Sequence, residues 1–320
     1  MPRCVHDLPR PAVGAVLGAA VGDALGAPFE FGPPGAYRAR FPDGIGELCG
    51  GGGWEPGEAT DDTQMAVLVG ESLLERGGLD PQDLFGRFRR WAAADPKDIG
   101  LQTERVLLGP EPWDRAAARD FRREGRAAGN GSLMRASTSA VHFAPAGRAA
   151  TMDAARRIAA LTHGDPAAWE GTALLHELVR VALLGGDPLA ALPEALAEVA
   201  PAQRERWAAV LAPDWSPVDA TEFNGAVRPC LASAVWALRT TRGFVDALTA
   251  AVDLGGDTDT VAAVTGTLAG AVHGAGEIPS SWTDSLHVPL PGFGGRVLRA
   301  DELRSLATAL ASRSPALPAP

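Results

Sequence analysis

The sequence has 320 residues, of which 46% are hydrophobic and 21% are charged, values that allow one large domain with a core of ordinary size. Its formal net charge of -10 disfavours nucleic-acid binding, because neutralising phosphates requires a basic face. Lys97 is the only lysine, which leaves little scope for Schiff-base or P-loop lysine chemistry.

Helical periodicity dominates the chain from beginning to end. Apolar residues recur at the three- and four-residue spacing of a buried helix face, whereas alternating strand patterns are almost absent. The helical runs cover residues 65–73, 84–92, 133–141, 169–179, 231–238, 244–252, 261–272 and 303–310. The pattern predicts an all-α fold.

Residues 31–58 are rich in glycine and proline and predict a long loop. No other segment has the composition of a linker, so we expect a single compact multi-helix domain over residues 11–312. Residues 1–10 and 313–320 are expected to be flexible termini.

Glycine recurs at every fourth position in two of the apolar segments. Gly14, Gly18 and Gly22 lie near the N-terminus, and a second set lies at 266, 270 and 274. Glycine costs helix stability, about 1 kcal/mol relative to alanine. Its repetition on one face therefore predicts that two helices pack closely at the centre of the domain.

The cysteines and the N-terminal sequence favour a cytoplasmic protein. Cys4, Cys49 and Cys230 are odd in number and widely spaced, which argues against a disulfide framework or a thiolate zinc site. The N-terminus has no apolar segment of the signal-peptide type. No stretch approaches about 18 uninterrupted apolar residues, so we expect no membrane-spanning segment, and we expect a monomer.

Two clusters of carboxylates stand at predicted helix starts. The first is Thr60-Asp61-Asp62-Thr63, and the second is Asp257-Thr258-Asp259-Thr260. Acidic residues in a first turn can simply cap free N–H groups and complement the helix dipole. One cap needs only one carboxylate, however, and hard divalent cations favour carboxylate and hydroxyl oxygens. Both readings remain open from residue chemistry alone.

Three further segments carry polar groups in glycine-rich surroundings. Glu30 follows a glycine and a proline that end the first helix. Gly129-Asn130-Gly131-Ser132 precedes a predicted helix, where backbone N–H groups can bind an anion or Ser132 can act as a cap. His163 lies in a loop between two helices. Each segment also fits a purely structural role.

The order of five segments resembles the ADP-ribosylglycohydrolase family, which includes dinitrogenase-reductase-activating glycohydrolases and ADP-ribosylarginine and ADP-ribosylserine hydrolases. The segments are GDALGAPFE, TDDTQMA, GNGSLMR, THGDP and GGDTDT, and the resemblance runs from about Gly14 to Trp282. A sixth segment, Asp98-Ile99-Gly100, is similar to the Asp-Ile-Gly-Asn of the dinitrogenase-reductase-activating branch, with Leu101 in place of asparagine.

The resemblance implies roles for particular residues. Two divalent ions, Mg²⁺ or Mn²⁺, would be bound by six ligands: Thr60, Asp61, Asp62, Asp257, Asp259 and Thr260. Glu30 would act at the anomeric carbon, as acid or as base. Gly129, Asn130, Gly131, Ser132 and His163 would contact the diphosphate and the distal ribose, and Asp98 could pair with a guanidinium.

The expected activity is metal-dependent removal of ADP-ribose from a modified protein or a small ADP-ribose derivative, with N-linked ADP-ribosylarginine favoured as the substrate. O-linked ADP-ribosylserine and O-acetyl-ADP-ribose remain alternative substrates. A non-catalytic ADP-ribose-binding relative is a second alternative. An isoprenoid-synthase-like Mg²⁺-dependent lyase is a third, although its acidic clusters would have to lie in mid-helix facing an aromatic cavity.

Overall fold

The computed structural model describes residues 9–42, 44–126 and 128–313, and nearly all of its regular structure is helical. The first eight helices are α1 (Pro9–Gly26), α2 (Ala36–Arg40), α3 (Asp61–Arg76), α4 (Pro81–Ala92), α5 (Leu101–Leu107), α6 (Ala116–Glu124), α7 (Ser137–Phe143) and α8 (Arg148–Ala159). They are followed by α9 (Pro166–Leu183), α10 (Leu192–Ala197), α11 (Pro201–Val210), α12 (Val227–Thr240), α13 (Phe244–Val252), α14 (Thr258–His273), α15 (Ser280–Ser285) and α16 (Ala300–Ser312). The prediction of an all-α fold is confirmed.

The remaining regular elements are small. Two antiparallel strands, β1 (His287–Pro289) and β2 (Val297–Arg299), pair with Val288 opposite Leu298. A bridge between Glu58 and His287 ties the segment before α3 to β1. Short 3-10 helices occur at Ala27–Phe29, Asn130–Ser132, Ala144–Ala146, Pro217–Asp219 and Ala275–Glu277.

Local sequence signals fix several helix ends. Asp80 and Asp165 each precede a proline, and each carboxylate accepts a hydrogen bond from a backbone N–H of the helix that follows. Proline suits the first position of a helix because its missing N–H would have no intrahelical partner. Gly77 ends α3 at φ 69, a left-handed conformation that glycine adopts without steric cost.

Two expectations about helix boundaries need correction. The run predicted at 133–141 becomes regular α-helix only at Ser137, because Asn130–Ser132 forms a 3-10 turn whose carbonyl at Asn130 accepts from Leu133 N–H at 2.7 Å. The segment predicted as a continuous loop at 31–58 contains α2, which begins after Gly35 at φ 82.

The close packing predicted from glycine spacing occurs between α1 and α14. An added Cβ at Gly14 would overlap the carbonyl oxygen of Gly270, and one at Gly18 would overlap that of Gly266. The contact continues to the end of α1, where Gly26 faces the carbonyl of Thr258. The packing of α1 on α14 therefore places the residues that follow α1 beside the first turn of α14. The glycine at 274 is not part of this face; it ends α14 at φ 83.

Helix α1 lies at the centre of the molecule, in contact with α3, α7, α9, α13, α14 and α16. Among the described residues, Pro9–Phe29 is long and apolar enough to cross a membrane by length and composition alone, but 94% of its most apolar window is buried inside the protein. This burial is typical of a core helix. The helix also begins at Pro9, so Pro9 and Arg10 belong to it rather than to a flexible terminus. Cys4, residues 1–8 and residues 314–320 lie outside the described residues.

Candidate active site

The two acidic clusters meet at one point in the fold. Thr60 is the N-cap of α3, with Asp61 and Asp62 in the first turn, and Asp257 is the N-cap of α14. The hydroxyl of Thr260 donates to Asp62 Oδ1 at 3.4 Å, although 198 residues separate them in sequence. The packing of α1 on α14 brings Glu30 to the same place: oxygen atoms of Glu30, Asp257 and Asp259 lie within 4.8 Å of one another.

These side chains line a cavity of about 380 Å³. We call one set of its residues the acidic lining: Glu30, Asp61, Asp62, Asp257 and Asp259. We call a second set the neutral lining: Gly129, Asn130, Gly131 and His163. Asp98 and Thr260 also line the cavity. Eleven of the thirteen residues predicted for the site therefore surround one space.

Thr60 and Ser132 are the two predicted residues outside this lining. Thr60 is fully buried, and its hydroxyl caps α3 by accepting from Asp62 N–H at 3.3 Å. Ser132 is also fully buried and donates to the carbonyl of Ala168 at 3.4 Å. Both side chains support the fold as the structure shows them, and their roles as a metal ligand and a diphosphate contact stay predictions.

The acidic lining concentrates carboxylates at one point, where Asp61, Asp62 and Asp259 are buried and Glu30 and Asp257 are partly buried. Burial raises the pKa values of Asp61, Asp62 and Asp259 well above their ordinary range, and the neighbouring carboxylates raise them further. Burial, together with Asp98 and Asp257, raises the pKa of Glu30 to about 7. Carboxylates crowded in this way cannot all ionise unless cations compensate them.

Two buried oxygens identify where a cation would bind. Asp62 Oδ2 and Asp257 Oδ1 have no hydrogen-bond partner among the described residues. An unpartnered buried carboxylate oxygen is costly, and a divalent cation would satisfy it. The donors are carboxylate and hydroxyl oxygens, a set that fits Mg²⁺ or Mn²⁺.

Asp23, inside α1, organises the first acidic cluster and was not predicted as a site residue. Its carboxylate is fully buried and accepts from the backbone N–H of Thr60 at 3.0 Å. It also accepts from the N–H of Thr63 at 3.1 Å and from its hydroxyl at 2.5 Å. Burial raises the pKa of Asp23 to about 6. The available signal was a carboxylate in the last turn of α1, a helix whose other buried residues are all apolar.

Two asparagines hold Asp257. Asn130 Nδ2 donates to Asp257 Oδ2 at 3.0 Å. Asn224 accepts from the backbone N–H of Asp257 at 3.0 Å and donates to the carbonyl of Gly255 at 2.8 Å. The side chain of Asn130, predicted as a diphosphate contact, is therefore hydrogen-bonded to a carboxylate of the acidic lining. Asn224 was missed because it lies in an irregular segment without a local motif.

The residues that follow Glu30 are hydrogen-bonded to the loop just before the second acidic cluster. Phe31 N–H donates to the carbonyl of Gly256 at 2.6 Å, and Gly256 N–H donates to the carbonyl of Gly32 at 3.1 Å. Phe31 has φ 57, an uncommon conformation for a bulky residue, and its exposed ring stacks on that of Phe223 at 6.4 Å between centroids. Glu30 is thus positioned by backbone pairing with the loop that precedes α14.

The neutral lining lacks the helix N-terminus expected from the sequence. The expected anion site relied on a helix starting at 133, but α7 begins at Ser137 and is only seven residues long. The N–H of Asn130 is already bonded to the carbonyl of Gly225 at 3.0 Å. What remains is a tight glycine turn beside an imidazole: a Cβ added at Gly129 would lie 3.4 Å from His163 Nε2.

Another group of possible metal ligands, Glu55, Glu58 and His287, lies outside the cavity. Lys97 already forms an ion pair with Glu58 at 2.7 Å, and Glu55 is 74% exposed. The lysine supplies the positive charge that a cation would otherwise provide, so these residues form a charged surface cluster.

The fold and the cavity define an all-helical protein built around a cluster of carboxylates. The family model described as ADP-ribosylglycohydrolase matches residues 6–318. The chain is 31% identical over 294 residues to the ADP-ribosyl-[dinitrogen reductase] glycohydrolase of Rhodospirillum rubrum, covering 88% of this chain and 91% of that protein.

Two further comparisons agree. The ADP-ribosylarginine hydrolase Tri1 of Pseudomonas putida (strain GB-1) is 30% identical over 287 residues, covering 86% of this chain and 74% of that protein. A solved structure described as an ADP-ribosylglycohydrolase-related protein complex matches with a TM-score of 0.73 and 35% identity, covering 97% of this chain and 99% of that one. The chain belongs to the ADP-ribosylglycohydrolase family, whose enzymes hydrolyse glycosidic linkages of ADP-ribose.

Proposed function

We propose that this protein hydrolyses the N-glycosidic bond of ADP-ribosylarginine with the help of two divalent cations, Mg²⁺ or Mn²⁺. The observation that carries the proposal is the acidic cavity, in which Asp98 lies beside the acidic lining. A carboxylate at that position can pair with a guanidinium leaving group. Family membership removes the lyase alternative, and the relatives named above act on a dinitrogen reductase and on ADP-ribosylarginine.

Hydrolysis adds water across the bond between C1 of the ribose and the guanidinium nitrogen. The water oxygen bonds to C1, the C1–N bond breaks, and the departing nitrogen takes a proton. Cations bound at the acidic lining would orient the ribose cis-diol and polarise the sugar. Glu30 is the group that we propose moves the proton, because it lines the cavity with a carboxylate oxygen within 4.8 Å of those of Asp257 and Asp259.

A substrate panel tests the proposal. The full chain is incubated with ADP-ribosylarginine, ADP-ribosylserine and O-acetyl-ADP-ribose, each with Mn²⁺ and with a chelator. We expect metal-dependent release of ADP-ribose with the arginine substrate fastest. Faster release from serine or acetyl substrates would move the assignment to an O-linked bond. Binding of ADP-ribose without any release would indicate a non-catalytic relative.

A matched pair of variants isolates Asp98. Asp98→Asn removes the charge that would pair with guanidinium and should slow the arginine substrate much more than the acetyl substrate. Asp95→Asn changes an exposed aspartate three residues earlier in the same loop and should leave both rates unchanged. Equal losses on both substrates in Asp98→Asn would show that Asp98 does not contact the leaving group.

A further inference from the structure

Arg135 is a fully buried guanidinium beneath the neutral lining. All of its hydrogen bonds within the described residues go to uncharged oxygens: Nη1 donates to the Gly131 carbonyl at 3.1 Å, and Nη2 donates to the Ile158 carbonyl at 3.2 Å and to Thr162 Oγ1 at 2.7 Å. Its Cζ atom lies 5.0 Å from the Phe88 ring centroid. Burying a cation without a carboxylate partner is costly, so its position calls for an explanation beyond packing.

The bond from Arg135 constrains the hydroxyl of Thr162. This oxygen accepts from Arg135 and lies 2.8 Å from His163 Nδ1. A hydroxyl has one proton to donate. Among the described residues, His163 Nδ1 is the one acceptor that is hydrogen-bonded to this hydroxyl. The hydroxyl therefore donates to Nδ1, and Nδ1 is the unprotonated nitrogen of the ring.

The opposite tautomer would leave a buried group unsatisfied. If Nδ1 carried the proton, Thr162 Oγ1 would face two donors, and its own proton would have no partner at a fully buried position. An unmet buried donor destabilises the folded protein. Burial, and secondarily the charge of Arg135, holds the pKa of His163 well below its usual range, so the ring is neutral and has a single N–H.

That N–H faces the cavity. His163 lines it, and Nε2 lies beside the glycine turn, 3.3 Å from where a Cβ of Gly131 would be. The main chain of the same loop is held in place as well, because Gln102 Nε2 donates to the Thr162 carbonyl at 3.1 Å. The imidazole thus presents a fixed donor to a ligand oxygen next to the turn.

We infer that Arg135 and Thr162 are positioning residues that fix His163 as the Nε2-protonated tautomer, so that this N–H donates to a phosphate or ribose oxygen of the bound ADP-ribose moiety. The inference rests on the proposed function for the identity of the ligand, whereas the tautomer is a property of the ligand-free protein. The cation of Arg135 also lies beneath the part of the cavity that would receive the anionic diphosphate, where it favours negative charge.

Nitrogen NMR of the histidine rings tests the tautomer directly. In the ¹⁵N-labelled full chain, the ring of His163 is assigned by loss of its signals in His163→Gln. We expect protonated Nε2 and unprotonated Nδ1 without any ligand. A ring protonated at Nδ1, or at both nitrogens, at neutral pH would overturn the inference whether or not the protein hydrolyses ADP-ribosylarginine.

A matched pair of substitutions tests the relay. Thr162→Ser keeps the hydroxyl and should keep both the tautomer and the affinity for ADP-ribose in saturating Mn²⁺. Thr162→Val keeps the shape but removes the hydroxyl. It should mix the tautomers and weaken ADP-ribose binding roughly tenfold by calorimetry, with the loss appearing in KM rather than kcat. An unchanged tautomer and affinity in a folded Thr162→Val variant would overturn the role of Thr162.

Discussion

The acidic lining and the neutral lining belong to one cavity, but they are held in opposite ways. The carboxylates are positioned by uncharged groups: Asn130 and Asn224 hold Asp257, and the hydroxyl of Thr260 contacts Asp62. The neutral lining is supported by a buried cation, Arg135, which bonds both its glycine turn and its histidine loop. In the proposed function, metal cations would compensate the carboxylates of the acidic lining, and an anionic ligand would compensate the charge of Arg135 beneath the neutral lining.

The variant with the largest expected effect removes a carboxylate that has an unpartnered oxygen facing the proposed cation site. Asp257→Ala deletes the unpartnered Oδ1 and the acceptor of Asn130. We expect it to abolish metal-dependent turnover while the far-ultraviolet circular dichroism remains helical. It should also lose most of the rise in thermal midpoint on adding Mn²⁺, since a ligand of the native state stabilises by mass action. Retention of both properties would show that Asp257 is only a helix cap.

A smaller effect is expected from Asp23→Asn, which leaves every carboxylate of the acidic lining in place. Asp23 Oδ1 accepts from Thr60 N–H, and Oδ2 accepts from Thr60 N–H and from the N–H and hydroxyl of Thr63. The amide has only one acceptor oxygen, so at least one of these bonds is lost and the first turn of α3 shifts. Residues that orient metal ligands typically contribute 10–100-fold in affinity or activity, so we expect Mn²⁺ affinity to fall by roughly that factor. Calorimetric titration of the metal-free protein measures it. An unchanged affinity would limit Asp23 to a structural role.

The neutral lining is tested without touching a carboxylate. A Cβ at Gly131 would lie 3.1 Å from His163 Cε1, so Gly131→Val should displace the imidazole and weaken ADP-ribose binding about tenfold or more. Metal affinity should stay unchanged. Gly86→Val is the control, because an added Cβ there meets nothing within 4 Å. If Gly131→Val binds ADP-ribose normally in calorimetry with saturating Mg²⁺, the turn does not contact the ligand.

The two parts of the lining also differ in how far the sequence could predict them. Helical periodicity located α3 and α14, and their Asp-rich first turns are local signals. That the two clusters share one site was implied by the resemblance to the family and not by the local pattern. The role of Asp23 depends on contacts with residues 37 and 40 positions away, which no local pattern encodes.

The glycine turn was misread for a related reason. Leu133 and the apolar residues after it follow helix spacing, but Asn130 is bonded to Gly225 and Asp257, and Arg135 is bonded to Thr162. These tertiary bonds hold the segment in a 3-10 turn and delay α7 to Ser137. Arg135 was not singled out, because an arginine after an apolar pair is common on helix surfaces and only its burial shows its importance.

The smallest predicted effect is on how the stabilisation by Mn²⁺ depends on pH, and it tests the charge of the acidic lining. In the metal-free protein the pKa of Glu30 is raised to about 7 and that of Asp23 to about 6, whereas unfolded carboxyls titrate near about 4. The folded state therefore binds more protons between these values. Protonation of Glu30 and Asp23 therefore stabilises the folded protein fully below about pH 4, and this contribution is lost as the pH rises towards about 7. Bound cations replace those protons, so the gain in thermal midpoint on adding Mn²⁺ should grow between about pH 5 and pH 8.

Two buried histidines outside the cavity lining, His142 and His176, change the stability with pH in the opposite direction, both with and without bound metal. Burial lowers the pKa values of His142 and His176 to about 4, so their contribution increases as pH rises to about 6.5 and is constant above it. Because they lie outside the cavity lining, they act equally with and without metal and cancel in the difference between Mn²⁺ and chelator. Thermal unfolding at matched pH values measures that difference. A gain that shrinks with rising pH would contradict the idea that protons and cations compete for the acidic lining, and in Asp257→Ala the gain should be small at every pH.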